Sequence, residues 1–203
     1  MPDLAIAIVV FASTNIDDVF LLAAFFADSR LRQRAIVLGQ YLGIGALVLV
    51  SALAALSALA LPSGWVAILG IVPLLLGINK LRALRTDTAG TQGDSKAGVI
   101  QDQAQNARRG LRSQALAVAS VTVANGGDNV GVYVPLFATD LAAIATYVFT
   151  FAVMTGIWCA LGYALVNNKV LGSTIRRYGH RVLPVVLIAL GVYILSGTLV
   201  LLR

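Results

Sequence analysis

Charge is scarce in this sequence: Asp, Glu, Lys and Arg together make up 12% of the 203 residues, against 59% hydrophobic. With a mean hydropathy of +0.87, the composition lies outside the range of ordinary water-soluble domains. Thiols and imidazoles are scarcer still. The single cysteine, Cys159, excludes an intramolecular disulfide and any cluster of thiolate metal ligands. The single histidine, His180, sits among Arg177 and Arg181, a poor place for a metal. No GxxxxGK[ST] stretch is present, which argues against direct ATP drive through a P-loop, and neither GxSxG nor HExxH occurs.

What is present is a series of apolar runs long enough to cross a membrane, near residues 4–27, 35–60, 65–80, 114–138, 141–166 and 182–202. The pattern predicts an all-α polytopic membrane protein of six transmembrane helices. The first run has no Lys or Arg before it and no small-residue cleavage site after it, so it reads as a retained span rather than a leader.

The net charge of +6 could suggest a nucleic-acid partner, but the placement of the charges explains it differently. Arg30, Arg32 and Arg34 follow the first span, Lys80 to Arg112 lie between the third and fourth, and Lys169 to Arg181 between the fifth and sixth. These alternate loops hold 14 of the 15 basic residues, while the intervening loops hold none. By the positive-inside rule the basic loops are cytoplasmic and both termini extracytoplasmic.

Residues 86–112 are rich in Gly, Gln, Asp and Ala and read as a flexible cytoplasmic linker. It separates a first three-helix repeat (1–85) from a second (113–203). An odd number of spans per repeat requires the second to be inverted relative to the first. The halves share a polar cluster in their first spans, "NIDDVFLLAAFFA" and "NGGDNVGVYVPLFA", and "LLLGI" and "IALGV" in their third. An offset of 110 superposes Asn15 on Asn125 and Asp18 on Asp128; an offset of 111 superposes Asp17 on Asp128 and "FFA" on "LFA". Inverted repeats with matching polar interruptions point to a secondary transporter whose site lies at the repeat interface.

Three aspartates, Asp17, Asp18 and Asp128, fall within these apolar runs. At about 2.5 to 3.5 kcal/mol each, three unpaired carboxylates would cost on the order of 8 to 10 kcal/mol. No Lys or Arg lies at membrane depth to neutralise them, which leaves protonation or a bound cation. On continuous helices Asn15 and Asp18 share a face, as do Asn125 and Asp128, and Thr14 lies on the face of Asp17 and Asp18. Two such helices crossing near the midplane would gather Asp17, Asp18 and Asp128 with the amides of Asn15, Asn125 and Asn129, all hard oxygen ligands suited to a divalent cation. The tandem Gly126 and Gly127 predict a helix break that frees carbonyls toward the site. A cation lowers carboxylate pKa values and protons compete with it, the chemistry of a metal–proton antiporter.

Gly39, Gly43 and Gly45 read as helix-packing positions, and Gln40 and Tyr41 beside them as candidates to line the pathway. Cys159 and Met154 read as packing residues and Lys80 as a snorkelling one.

"TNIDD", "GQYLG" and "NGGDNVGVYVPLF" resemble the cadmium resistance transporter (CadD) family, part of the LysE superfamily of exporters, over nearly the whole chain apart from the linker. The resemblance implies a multi-pass carrier of the bacterial plasma membrane that exports Cd2+ and confers cadmium resistance. Asn15, Asp17, Asp18, Asn125, Asp128 and Asn129 match the motif positions and would be its metal site. No enzyme activity and no cofactor are expected. The partners are the divalent cation as substrate, protons as coupling ion and the lipid bilayer, with room for a homo-oligomer. Mn2+ or another divalent cation is the alternative cargo. A cationic amino acid would fit the acids but finds no intramembrane Arg for its carboxylate, and an intramembrane aspartyl hydrolase would need the acids to meet at catalytic spacing.

Overall fold

A computed structural model describes residues 2–58, 71–85 and 110–167, with helical residues at 69, 185–186, 188–192 and 194–195. The linker, His180 and most of the sixth apolar run lie outside the described residues, as does the second-to-third loop. Among the described residues the structure is all-helical. It comprises α1 (Pro2–Thr14), α2 (Ile16–Ala27), α3 (Gln33–Ala58), α4 (Ile71–Arg85), α5 (Leu111–Asn125), α6 (Gly127–Thr139) and α7 (Ile144–Asn167).

Two of these helices, α3 and α7, are by themselves long and apolar enough to cross a membrane. A third span exists if α1 and α2 are taken together, since they are bent by 57° at a short break. Leu38, Leu42, Leu49 and Leu53 on α3, and Val148, Phe149, Val153 and Ile157 on α7, point outward and exposed. In water they would form an oversized apolar patch; against lipid they are the expected surface. The chain is a membrane protein.

The first apolar run, predicted as one continuous helix, is therefore two. The cause is local. Ser13, Thr14 and Asn15 turn their side chains back onto the last turn of α1: Ser13 Oγ and Thr14 Oγ1 each donate to the Val10 carbonyl at 2.9 Å, and Asn15 Nδ2 donates to that of Phe11 at 2.9 Å. Three consecutive polar residues thus compete with the helical ladder for its acceptors, and Asn15 relaxes to φ −108°, ψ 17°. The second break was predicted at Gly126 and Gly127, and it falls at Gly126, with φ −87°, ψ 16°.

The two breaks share one hydrogen-bond pattern. Asn15 N–H donates to Phe11 O at 3.0 Å and Asn15 O accepts from Asp18 N–H at 3.1 Å; Gly126 N–H donates to Thr122 O at 2.8 Å and Gly126 O accepts from Asn129 N–H at 3.0 Å. Asn15 therefore corresponds to Gly126, and Asp18 to Asn129. This selects the offset of 111 between the broken helices, and the starts of α3 at Gln33 and α7 at Ile144 keep that offset.

Packing crosses between the halves. α3 lies along α5 and α6, α7 lies along α1 and α2, and α3 and α7 touch each other. The α3–α5 contact is close because Gly39 and Gly43 face it. A Cβ on Gly39 would stand 2.5 Å from the Ala115 carbonyl oxygen, and one on Gly43 2.6 Å from Thr122 Cβ. Gly45, expected to pack likewise, faces open space. Gly162 plays the same part on α7, where a Cβ would meet Leu22 Cβ at 2.6 Å. At one end of the bundle, Gln114 fastens the 28–32 turn to α5: it accepts from Arg32 N–H at 3.2 Å and donates to Arg30 O at 3.1 Å.

Candidate functional site

Both breaks sit in the bundle interior, and the polar residues around them form one buried cluster. Asp18, 1% exposed, accepts at Oδ1 from Asn125 Nδ2 at 2.6 Å and at Oδ2 from Gln40 Nε2 at 3.1 Å. The same Asn125 amide reaches Asp17 Oδ2 at 3.3 Å. Gln40 is oriented in turn by Thr122, whose hydroxyl donates to Gln40 Oε1 at 2.7 Å. The close α3–α5 approach allowed by Gly39 and Gly43 is what brings Thr122 within reach of Gln40.

A second set of bonds holds the break itself. Asn15, fully buried, accepts from Asn129 Nδ2 at 2.9 Å and donates to Tyr133 Oη at 2.7 Å. Tyr133 Oη also lies 3.3 Å from Thr14 Oγ1. The Asn15 carbonyl, turned away from the regular ladder, accepts from Trp158 Nε1 at 2.6 Å. Rings close the site from behind: Tyr133 and Phe151 at 4.8 Å, and Trp158 edge-on to Phe11 at 5.5 Å.

Of the sequence-predicted residues, Asn15, Asp17, Asp18, Asn125 and Asn129 are tied together by these bonds, along with Thr14 and Gln40. Asp17, Asn125 and Asp128 are half-buried, whereas Asp18, Asn15 and Asn129 are buried. Among the described residues no three acidic, histidine or cysteine side chains converge closely enough to hold a metal ion together. Asp128 stands in the first turn of α6, as Asp17 and Asp18 stand in the first turn of α2. Tyr41 faces outward into a groove against α7, apart from the cluster. Gly127 has open space around it, whereas a Cβ on Gly126 would collide with Leu47 Cδ1.

The structure adds something to the sequence argument about buried charge. Protonation and a bound cation are not the sole means of offsetting it. Asp18 accepts two amide donors, and all three acids sit at helix N-termini, where the aligned peptide dipoles favour negative charge. Tyr133, Thr122 and Trp158 were missed from the sequence. Tyr133 carried one readable signal, its place four residues after Asn129 on the same helix face.

Two helices broken in mid-bundle, with their N-terminal ends turned toward paired acids and amides, form the kind of site found at the centre of membrane carriers. A family model described as cadmium resistance transporter matches residues 11–201. The chain belongs to the cadmium resistance transporter family. No curated protein and no solved structure gives a match. Both breaks and the helices from α2 to α7 fall within the matched region, so the cluster belongs to the part of the chain that is shared with the family. Membership makes the chain a membrane transporter of a family not composed of enzymes, and Cd2+ export fits it.

Proposed function

We propose that the chain is a secondary transporter of the bacterial plasma membrane that exports Cd2+ in exchange for protons. Six spans are arranged as two inverted three-helix repeats, with both termini outside. The observation that carries this reading is the matching pair of breaks at Asn15 and Gly126, each followed by a first-turn acid, Asp17 after one and Asp128 after the other. In support of inversion, α2 meets α5 head to tail: Asp18 bonds Asn125 at the breaks, while the 28–32 turn bonds Gln114 at the start of α5.

The roles divide by burial. Asp18 and Asn129, in equivalent places, each tie their own half to the other, through Asn125 and Asn15 respectively. Asp17 and Asp128, half-buried, are the acids that meet cargo, and the amide oxygens of Asn125, Asn129 and Asn15 supplement them. Cation and protons compete for these carboxylates: the entering cation displaces protons, and protons arriving from the other side expel the cation. The metal is cargo, and the transporter needs no cofactor of its own.

One observation favours a second cargo. The cluster offers oxygen and amide donors, while the thiol of Cys159 lies on the groove side of α7. Such a donor set suits Mn2+ at least as well as a soft ion.

The test is reconstitution into liposomes with an internal pH dye. Wild type should move protons when Cd2+ is added, and Asp17→Asn and Asp128→Asn should each abolish that movement while remaining folded. A response to Mn2+ and not Cd2+ would reassign the cargo. Proton movement at the wild-type rate in both variants would remove these acids from the mechanism.

A further inference from the structure

A groove of about 670 Å³ opens between α3 and α7 on the outside of the bundle, away from the polar cluster. Its walls are one stripe from each helix. On α3 the stripe is Arg34, Val37 and Tyr41; on α7 it is Gly156, Ala160 and Tyr163. The gap exists because two of the facing α7 residues, Gly156 and Ala160, are small. Tyr41 bends over Gly156 so closely that a Cβ there would stand 2.8 Å from the tyrosine hydroxyl. Phe26 of α2 closes one side, edge-on to Tyr163 at 5.5 Å. From Arg34 to Tyr41 the groove runs about 10 Å along the helix axis, apolar for most of its length.

Its polar end is at the start of α3, where Gln33 and Arg34 stand. Among the described residues the ion pair at this end is Arg30 with Asp28, so Arg34 has no acidic partner there. The positive end of the long α3 dipole lies beside it. Arg32 and Arg112 are exposed at the same end, where Gln114 ties the 28–32 turn to the start of α5. An apolar channel at membrane depth, headed by an unpaired guanidinium at a basic membrane boundary, has the chemistry of a phospholipid: one acyl chain along the groove and one phosphate on the arginine.

We propose that the α3–α7 groove is a binding site for an anionic phospholipid, with Arg34 holding the headgroup phosphate and the Tyr41–Gly156 constriction setting the depth reached by the acyl chain. A zwitterionic lipid fills the apolar part but loses the net charge complementarity at Arg34 and its basic surroundings.

The full-length protein, purified in mild detergent, is offered phosphatidylglycerol and phosphatidylcholine of identical chains at equal mole fraction, and retained lipid is counted by native mass spectrometry. Wild type should retain phosphatidylglycerol in preference, at about one molecule per chain. Arg34→Gln should cut that preference on the order of fivefold, and Arg34→Lys should keep most of it. Ala160→Phe, which fills the groove, should lose both lipids while helicity by circular dichroism stays unchanged. Equal retention of the two lipids by wild type would overturn the proposal. So would an undiminished preference in Arg34→Gln, or cross-linking that places a second copy of the chain in the groove. If Ala160→Phe fails to fold, the Arg34 pair decides, since both variants lie at an exposed helix end.

Discussion

Asp18 and Asp17 are neighbours in sequence with different burdens. Asp18 receives two amide N–H groups on its two oxygens, from Asn125 and Gln40. An amide in its place could accept one of them and would turn its own N–H toward the other. Asp18→Asn should therefore destabilise the fold by about 1–3 kcal/mol, the cost of one buried donor left unsatisfied. Asp17→Asn, half-buried, should cost less stability. Thermal unfolding of the two variants in one detergent checks the order, and equal melting temperatures would show that Asp18 does not act as the tie. Outside the spans, Asp28 has its pKa lowered, chiefly by the side-chain hydrogen bonds from Arg30. A carboxylate with a lowered folded-state pKa adds stability above its ordinary value of 3.8, and that contribution fades as pH falls through the lowered value. The pair is on the surface and screened, so the effect is small. The melting-temperature gap between wild type and Asp28→Asn should be present at about pH 6, narrow by about pH 3, and shrink with added salt.

Among the elements, α3 depends most on the absence of side chains. Gly39 and Gly43 let it approach α5 until Thr122 reaches Gln40, and through Gln40 it reaches Asp18. Gly39→Ala puts a Cβ against backbone oxygen and Val118, neither of which can swing away, so about 1–3 kcal/mol of overpacking is expected. The same change should loosen the cluster one residue further along. Gly45→Ala, facing open space, is the control and should leave stability unchanged or raise it slightly. Melting temperatures of the two variants separate the cases; a Gly39→Ala protein as stable as Gly45→Ala would mean that the α5 contact does not govern this position.

For the whole molecule, the prediction concerns sidedness. In a Cys159→Ser background, single cysteines at Asp3 and Asp140 should react with a membrane-impermeant maleimide applied to intact cells. Cysteines at Ser29 and Arg112 should react only after permeabilisation. Labelling of Ser29→Cys and Arg112→Cys from opposite sides would contradict both the charge bias and the bond from Gln114 to the 28–32 turn.

Much of this protein was determined by its sequence alone, because a membrane imposes simple arithmetic. Apolar runs of spanning length mark an all-helical membrane protein, and an acid inside such a run demands an explanation wherever it occurs. The break at Gly126 was legible because tandem glycine weakens any helix. The break at Asn15 was not, since Ser, Thr and Asn disrupt a helix only when their side chains find the carbonyls behind them. Tertiary structure alone decided the pairing. Whether offset 110 or 111 relates the halves, which acid is buried and which half-exposed, and that Gln40 turns inward while Tyr41 turns out all depend on how α3 and α7 cross between the halves. Contacts between residues about 80 to 140 positions apart leave no periodicity in the chain, and only the packed bundle brings them together.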